Sequence, residues 1–236
     1  MNVSFQYSNG RKASAILTEP ASSTDAIVIL CHGFLSCKQS STNQRLTELL
    51  TEKGISTFCF DWFGMGESDG LFADLTIDLC CEELEQALTF VRSQGYSRIG
   101  LIGSSYGGLI ATLIASHDSN LLALGLKCPV PDFPEMLRLK FGQEAMSRWQ
   151  STGEIPDVTG SKKPIELRYH FYENCLTYHT YHAAKSIQCP TIIVHGDQDE
   201  LVPLHQIERL EQSLTGKKRL HLLPGANHHF GRPDDF

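Results

Sequence analysis

Apolar positions near the start of the chain recur every second residue. Val3 to Tyr7 and Ala13 to Leu17 alternate in this way on either side of Asn9-Gly10, a pair suited to the positive φ of a tight turn. These runs are expected to form a hairpin that gives the sheet an antiparallel edge. From Ala26 the pattern changes to short unbroken apolar runs alternating with longer segments at helical spacing, the signature of βαβ units and a parallel sheet. The runs Ile27 to Leu30, Ile55 to Phe60, Ile99 to Ile102, Leu122 to Leu126 and Ile192 to Val194 are expected strands, with Arg219 to Leu222 as a further edge strand. Continuous Val, Ile and Leu suit strands covered on both faces.

Between the strands, Asn43 to Glu52 places Leu46, Leu49 and Leu50 on one side, and Leu75 to Val91 does the same with Leu75, Leu79, Leu84, Leu88 and Val91. Both segments are expected helices, and Gly108 to Ser116 is small and helix-compatible. In the second helix Asp78, Glu82, Glu83 and Glu85 read as a solvated face and not as a metal site. The rhythm breaks after Val130. Residues 131–187 are richer in aromatic and polar residues and fit no strand-then-helix order, so they read as an insertion within a single domain spanning 1–236, with helices expected around Glu135 to Ser151 and Ile165 to His179.

Composition narrows the class. The chain has 236 residues, 41% hydrophobic and 20% charged, which excludes collagen, coiled coil and wholesale disorder. With 20 basic and 27 acidic residues the formal net charge is −7, which disfavours phosphate backbones and anionic membranes, so neither nucleic acid nor membrane is an expected partner. No apolar run is long enough to span a bilayer, and Met1 to Tyr7 lacks the basic start and apolar stretch of a secretory signal, so the expected location is cytoplasmic. Eight cysteines, including the adjacent Cys80 and Cys81, are spread through the chain with no C-x-x-C spacing; they read as reduced and inert, with Cys31 and Cys128 as small core residues.

The chemistry is carried by Gly103-Ser104-Ser105-Tyr106-Gly107, a G-x-S-x-G stretch placed directly between the strand Ile99 to Ile102 and a helix. Glycines on both sides let the backbone bend sharply and lift the central serine, Ser105, clear of the sheet. A serine hydroxyl is barely ionised at neutral pH, so it needs a base and an oriented carboxylate to hold that base in one tautomer. Candidates follow two later strands, in His195-Gly196-Asp197-Gln198-Asp199-Glu200-Leu201-Val202-Pro203 and in Gly225-Ala226-Asn227-His228-His229-Phe230. The chain order is serine, acid, histidine, each after a strand, at the end where open α/β sheets place their sites.

Taken together and in order, His32-Gly33-Phe34, Asp61-Trp62-Phe63-Gly64-Met65-Gly66-Glu67-Ser68, the Gly103 to Gly107 turn, His195 to Pro203 and Gly225 to His228 resemble the α/β-hydrolase superfamily. Within it the spelling is most similar to small cinnamoyl/feruloyl esterases and acyl-thioesterase-like members. The resemblance implies a mostly parallel central sheet with helices on both faces and a small lid formed by the insertion. It places Ser105 as nucleophile, Asp199 as acid through H-G-x-x-D-x-x-V-P, and His228 as base through G-A-x-H, with Asp197 and His229 as the runners-up. It assigns the oxyanion hole to the backbone N–H groups of Phe34 and Tyr106, and gives Asp61 the task of holding neighbouring backbone donors.

The function implied is a cofactor-independent serine hydrolase for carboxylic esters of small to medium acyl or aryl groups, with a small-molecule ester as its partner. Thioesterase, aminopeptidase and acyltransferase activities share the same acyl-enzyme and stay open, as does a non-catalytic ligand-binding member of the fold and the oligomeric state. Gly64-Met65-Gly66 does not complete a dinucleotide fingerprint, because Asp69 stands where the third glycine belongs. His179 and His182, with His170 upstream, lack the companions of a metal site and are expected at a surface or pocket wall, so no metal is expected. Phe133, Phe141, Trp149, Tyr169, Phe171, Tyr172, Tyr178 and Tyr181 either grip an acyl or aryl group or pack the insertion onto the main domain. The resemblance also implies a closing helix beyond the histidine loop, and with the sequence ending at Phe236 the edge near His228 is expected to be thin or completed by another chain.

Overall fold

The computed structural model describes residues 1–7, 10–156 and 165–232. Ten strands and seven α-helices occur among them, in the order β1 (Asn2–Gln6), β2 (Lys12–Thr18), β3 (Ala26–Cys31), α1 (Ser41–Glu52), β4 (Ser56–Phe60), α2 (Ile77–Ser93), β5 (Arg98–Ser104), α3 (Tyr106–Ala115), β6 (Ala123–Lys127), α4 (Phe133–Thr152), β7 (Glu154–Ile155), β8 (Ile165–Glu166), α5 (His170–Leu176), α6 (Thr180–Ala184), β9 (Thr191–Gly196), α7 (Leu204–Ser213) and β10 (Lys218–Leu223). The eight-stranded sheet runs β1-β2-β4-β3-β5-β6-β9-β10. β1 and β2 pair antiparallel, β2 meets β4 antiparallel, and every later pairing is parallel. The hairpin edge, the parallel body and the outer strand β10 follow the alternation and run pattern; Asn9 of the expected turn lies outside the described residues. So does the end of the chain, 233–236.

Burial on both faces explains the unbroken runs. In β4 every residue from Ser56 to Phe60 is buried, and Ile27, Ile29, Leu30 and Cys31 of β3 are at most 1% exposed. Helix α3 is buried along its whole length, because it packs across β5 directly behind the turn that carries Ser105. That close approach needs glycine. A Cβ on Gly107 would stand 2.2 Å from the Cys31 carbonyl oxygen, and one on Gly103 would stand 2.4 Å from the Gly107 oxygen.

The insertion departs from expectation in detail. Asp132 caps α4, which bends where Gly142 leaves helical geometry (φ 72°). Ile165 and Glu166 form a strand paired with Glu154–Ile155, so the expected helix over Ile165 to His179 begins only at His170 and gives way to α6 after a break at Thr177 to His179. Its aromatic residues mostly pack on one another. Trp149 meets Phe141, Tyr169 and Tyr172, while Phe133 and Phe171 meet each other and the main-domain rings of Phe34 and Tyr106.

The acidic face of α2 requires a correction. Glu83 is 2% exposed, and its Oε2 accepts the Phe63 N–H at 2.9 Å, while its Oε1 has no hydrogen-bond partner. It shares a helical stripe with the buried Cys80, Leu84, Ala87 and Val91. Burial pushes its carboxyl from 4.5 up to about 8, against the opposing pull of the Phe63 N–H. Below 4.5 the folded and unfolded chains both hold the proton; between 4.5 and about 8 only the folded chain does, so folding takes up a proton and stability falls as pH rises. Each unit of separation is worth about 1.4 kcal/mol. The melting temperature is therefore expected to drop between pH 5 and 8, and Glu83→Gln to flatten that slope, as measured by thermal melts of both proteins across the range. A variant with an unchanged slope would show that Glu83 does not carry it.

Candidate active site

Four chain segments meet at the C-terminal ends of the parallel strands: the turn after β3, the β5–α3 turn, and the loops after β9 and β10. Ser105 occupies the β5–α3 turn with φ 53° and ψ −115°, a strained conformation for a residue with a Cβ. Its carbonyl accepts the Gly108, Leu109 and Val130 N–H groups and its N–H donates to the Lys127 carbonyl, so four backbone bonds hold the bend.

Ser105, Asp199 and His228 come together. His228 Nδ1 lies 2.8 Å from Asp199 Oδ2 and Nε2 lies 2.9 Å from Ser105 Oγ. A carboxylate only accepts, so Nδ1 carries the proton, and the Nε2 lone pair accepts the serine O–H. The Asp199 side chain is 1% exposed. Burial alone would raise its carboxyl, but the hydrogen bond and charge of His228, with the Val202 and Leu201 N–H groups, hold it below the usual carboxylate range. Those two N–H groups both reach Oδ1 at 2.9 Å. Asp197 is exposed and faces away to accept the Gly225 N–H at 2.6 Å, and His229 packs edge-on against His228 without reaching the serine.

The Gly33–Phe34 peptide runs beside the serine: a Cβ on Gly33 would stand 3.4 Å from Ser105 Cβ and 3.9 Å from Oγ. Among the described residues neither the Phe34 N–H nor the Tyr106 N–H donates to a protein acceptor. The loop after β3 is fastened from beneath. Asp61, fully buried, accepts the Lys38 N–H and Nζ, each at 2.6 Å, and the Glu67 N–H at 2.9 Å. Burial lowers His32 to about 4, so it stays neutral and accepts the Trp62 N–H at 3.3 Å. A Cβ on Gly66 would overlap the Asp61 carboxylate at 2.3 Å, so this glycine belongs to the fastening and not to a nucleotide site.

Sequence reasoning missed the groups that surround Asp199. Cys128, fully buried as expected of a core residue, also stands at the end of β6 with φ 42°; its Sγ and the donor atoms of Asp199 and His228 all lie within 4.8 Å of one another. Burial pushes its thiol up to about 12, so it is protonated, and the Asp199 and His228 atoms of this cluster are already joined by their own hydrogen bond. His195 is buried with Nδ1 3.6 Å from Asp199 Oδ2 and no hydrogen bond at that atom. Lys127 Nζ donates to the His228 carbonyl at 3.0 Å and lies 4.0 Å above the Phe230 ring. In the sequence the only signal for Cys128 and Lys127 was their position at a strand end.

A cavity of about 610 Å³ opens over Ser105 and His228. Phe34, Leu35, Phe133, Met136, Leu137 and Leu201 give it an apolar wall, and Ser36, Thr42, Lys140 and Glu200 line it as well. Of the aromatic residues singled out in the insertion, Phe133 alone lines it. Of the others, Phe171 packs onto the main-domain rings of Phe34 and Tyr106, while Phe141, Trp149, Tyr169 and Tyr172 pack on one another within the insertion.

With this geometry in hand, the chain's relatives are informative. The sequence model of the alpha/beta hydrolase family matches residues 28–236, and the chain belongs to that family. It is 25% identical over 235 residues to the human protein called serine hydrolase BPHL, covering 90% of this chain and 77% of that one. It is 23% identical over 185 residues to human mitochondrial palmitoyl-protein thioesterase ABHD10, covering 75% of this chain and 58% of that one. Among solved structures, Est1E from Butyrivibrio proteoclasticus with bound ferulic acid superposes with a TM-score of 0.86 at 24% identity, over 98% of this chain and 92% of that one. Alpha/beta hydrolase domain-containing protein 10 from mouse gives 0.81 at 18%, over 100% and 93%. Among the described residues no helix is long and apolar enough to cross a membrane.

Proposed function

We propose that this protein is a serine hydrolase that cleaves carboxylic esters of small to medium acyl or aryl groups through an acyl-enzyme on Ser105. The observation that carries this reading is the continuous hydrogen-bond chain from Ser105 Oγ through His228 to the buried Asp199, at 2.9 and 2.8 Å. Ser105 attacks the acyl carbonyl as its proton passes to His228 Nε2, and Asp199 stabilises the imidazolium that forms. The developing oxyanion meets the Phe34 and Tyr106 N–H groups, the second at the N-terminus of α3, where unpaired donors face outward. The imidazolium then protonates the departing alcohol, and water activated by His228 releases the acid. Every step uses groups on this chain.

The cavity supports the substrate class. Its apolar wall suits an acyl or aryl group, in keeping with similar proteins that include Est1E with bound ferulic acid and a palmitoyl-protein thioesterase. Eight cysteines without a disulfide suit a reducing compartment, for which we propose the cytosol.

A fluorophosphonate probe tests the reading directly. Wild-type protein is expected to take up one label per chain and Ser105→Ala none, as read by intact mass. A panel of aryl and alkyl esters, with a thioester and an aminoacyl amide as contrasts, then ranks the leaving groups. Wild-type protein without label, or equal labelling of the alanine variant, would remove the nucleophile from the scheme.

A further inference from the structure

A second cavity, of about 440 Å³, lies among α3, the insertion helices α4 to α6, and α7. It shares one wall residue, Phe133, with the cavity over Ser105, and the reaction proposed above uses none of its other residues. Its size falls within the range of about 300–1,000 Å³ usual for small-molecule sites.

The charge around it is unusual for a chain of net charge −7. Arg138, Arg209, His179 and His182 line it, against one carboxylate, Asp132. Asp132 Oδ1 is already occupied, accepting the Glu135 N–H at 2.9 Å to cap α4. Glu135 itself is taken up by His205 at 3.0 Å and Gln206 at 2.7 Å. Among the described residues no carboxylate lies within ion-pair distance of either arginine; Arg138 instead donates to the Tyr172 hydroxyl at 2.8 Å, and the Arg209 guanidinium sits 4.1 Å over the Tyr181 ring. These contacts fix the two guanidinium groups and use few of the five N–H donors each one carries.

We propose that this cavity binds a small organic phosphate monoester, about the size of a mononucleotide. Two guanidinium groups and two imidazoles offer more donors than the two oxygens of a carboxylate can accept, whereas a phosphate monoester presents three oxygens and about −1.5 to −2 of charge. Leu109, Pro131, Leu176 and the rings of Phe133, Tyr178 and Tyr181 supply the wall for the organic part, which a bare inorganic anion would leave uncovered. This site also gives His179 and His182, at the start of α6, a place in the molecule that metal ligation does not.

Calorimetric titration of the full chain with AMP, adenosine and inorganic phosphate tests this. AMP is expected to saturate with a dissociation constant below about 1 mM, and adenosine and phosphate to bind at least about 10-fold more weakly. Arg138→Ala with Arg209→Ala is expected to weaken AMP at least about 10-fold with the melting temperature retained, because both side chains are exposed. Lys140→Ala, which alters the other cavity, is expected to leave AMP binding unchanged. Absence of saturation at about 10 mM, retained affinity in the double arginine variant, or loss of affinity in Lys140→Ala would each overturn the site. Inorganic phosphate binding as tightly as AMP would overturn the organic ligand. None of these readings requires ester hydrolysis.

Discussion

Asp199→Asn is expected to lower kcat for an aryl ester by about 10⁴-fold while leaving the fold intact. The size follows from which atom the new amide can place where. Asp199 Oδ1 accepts the Leu201 and Val202 N–H groups, both at 2.9 Å, so an asparagine keeps its carbonyl oxygen there and turns its NH₂ towards His228. Nδ1 must then accept, the imidazole proton moves to Nε2, and the nitrogen facing Ser105 at 2.9 Å can no longer take the hydroxyl proton. Asp197→Asn serves as the control: that carboxylate is exposed and among the described residues accepts the Gly225 N–H at 2.6 Å and no group of the Ser105–His228 chain, so activity is expected to stay within a few-fold of wild type. Steady-state kinetics with thermal melts of both variants decide it. An Asp199→Asn protein that is folded and keeps a tenth or more of the activity would mean that the acid does not set the tautomer.

The strands and the serine turn were legible because each is a local pattern. Burial on both faces leaves unbroken apolar runs in β3 and β5, and the bend at Ser105 writes itself as glycines at 103 and 107. The pairing of the later groups was legible as an order of motifs along the chain, and the structure brings the three side chains within hydrogen-bond reach. Groups that act through space left no such trace. Nothing near Cys128 in the sequence indicates that its thiol stands beside Asp199, because β6 and β9 become neighbours only in the sheet. Glu83 misled for a different reason: it stands next to the acidic Glu82 and near Glu85, and composition suggested solvent. Helical spacing from Cys80 and to Ala87 placed it in the buried stripe all along. The break between β8 and α5 went unread because no glycine or proline marks it within Ile165 to Tyr169.

Gly107→Ala is expected to be among the most damaging single methyl additions in the described residues, with loss of more than about 3 kcal/mol of stability, the upper end of overpacking effects. The added Cβ would stand 2.2 Å from the Cys31 carbonyl oxygen and 2.6 Å from that of His32. Both are buried backbone atoms at and just beyond the end of β3, so no side chain can turn aside to admit it. Relief requires α3 to lift from β3, and the atoms pushed are those leading into the Gly33–Phe34 peptide beside Ser105. Activity is therefore expected to fall further than the folded fraction does, because the two backbone donors proposed to meet the oxyanion sit on the two segments being forced apart; loss of one such donor costs about 2.7–4 kcal/mol of transition-state stabilisation. Gly142→Ala separates close contact from backbone strain. It replaces an exposed glycine at φ 72° whose added Cβ would meet nothing within 4 Å, so only the conformational cost of about 1 kcal/mol is expected, with kcat unchanged. Melting temperatures and kcat for the two variants, measured side by side, distinguish the effects. A Gly107→Ala protein that melts within a few degrees of wild type would show that the α3–β3 contact is not as tight as these distances require.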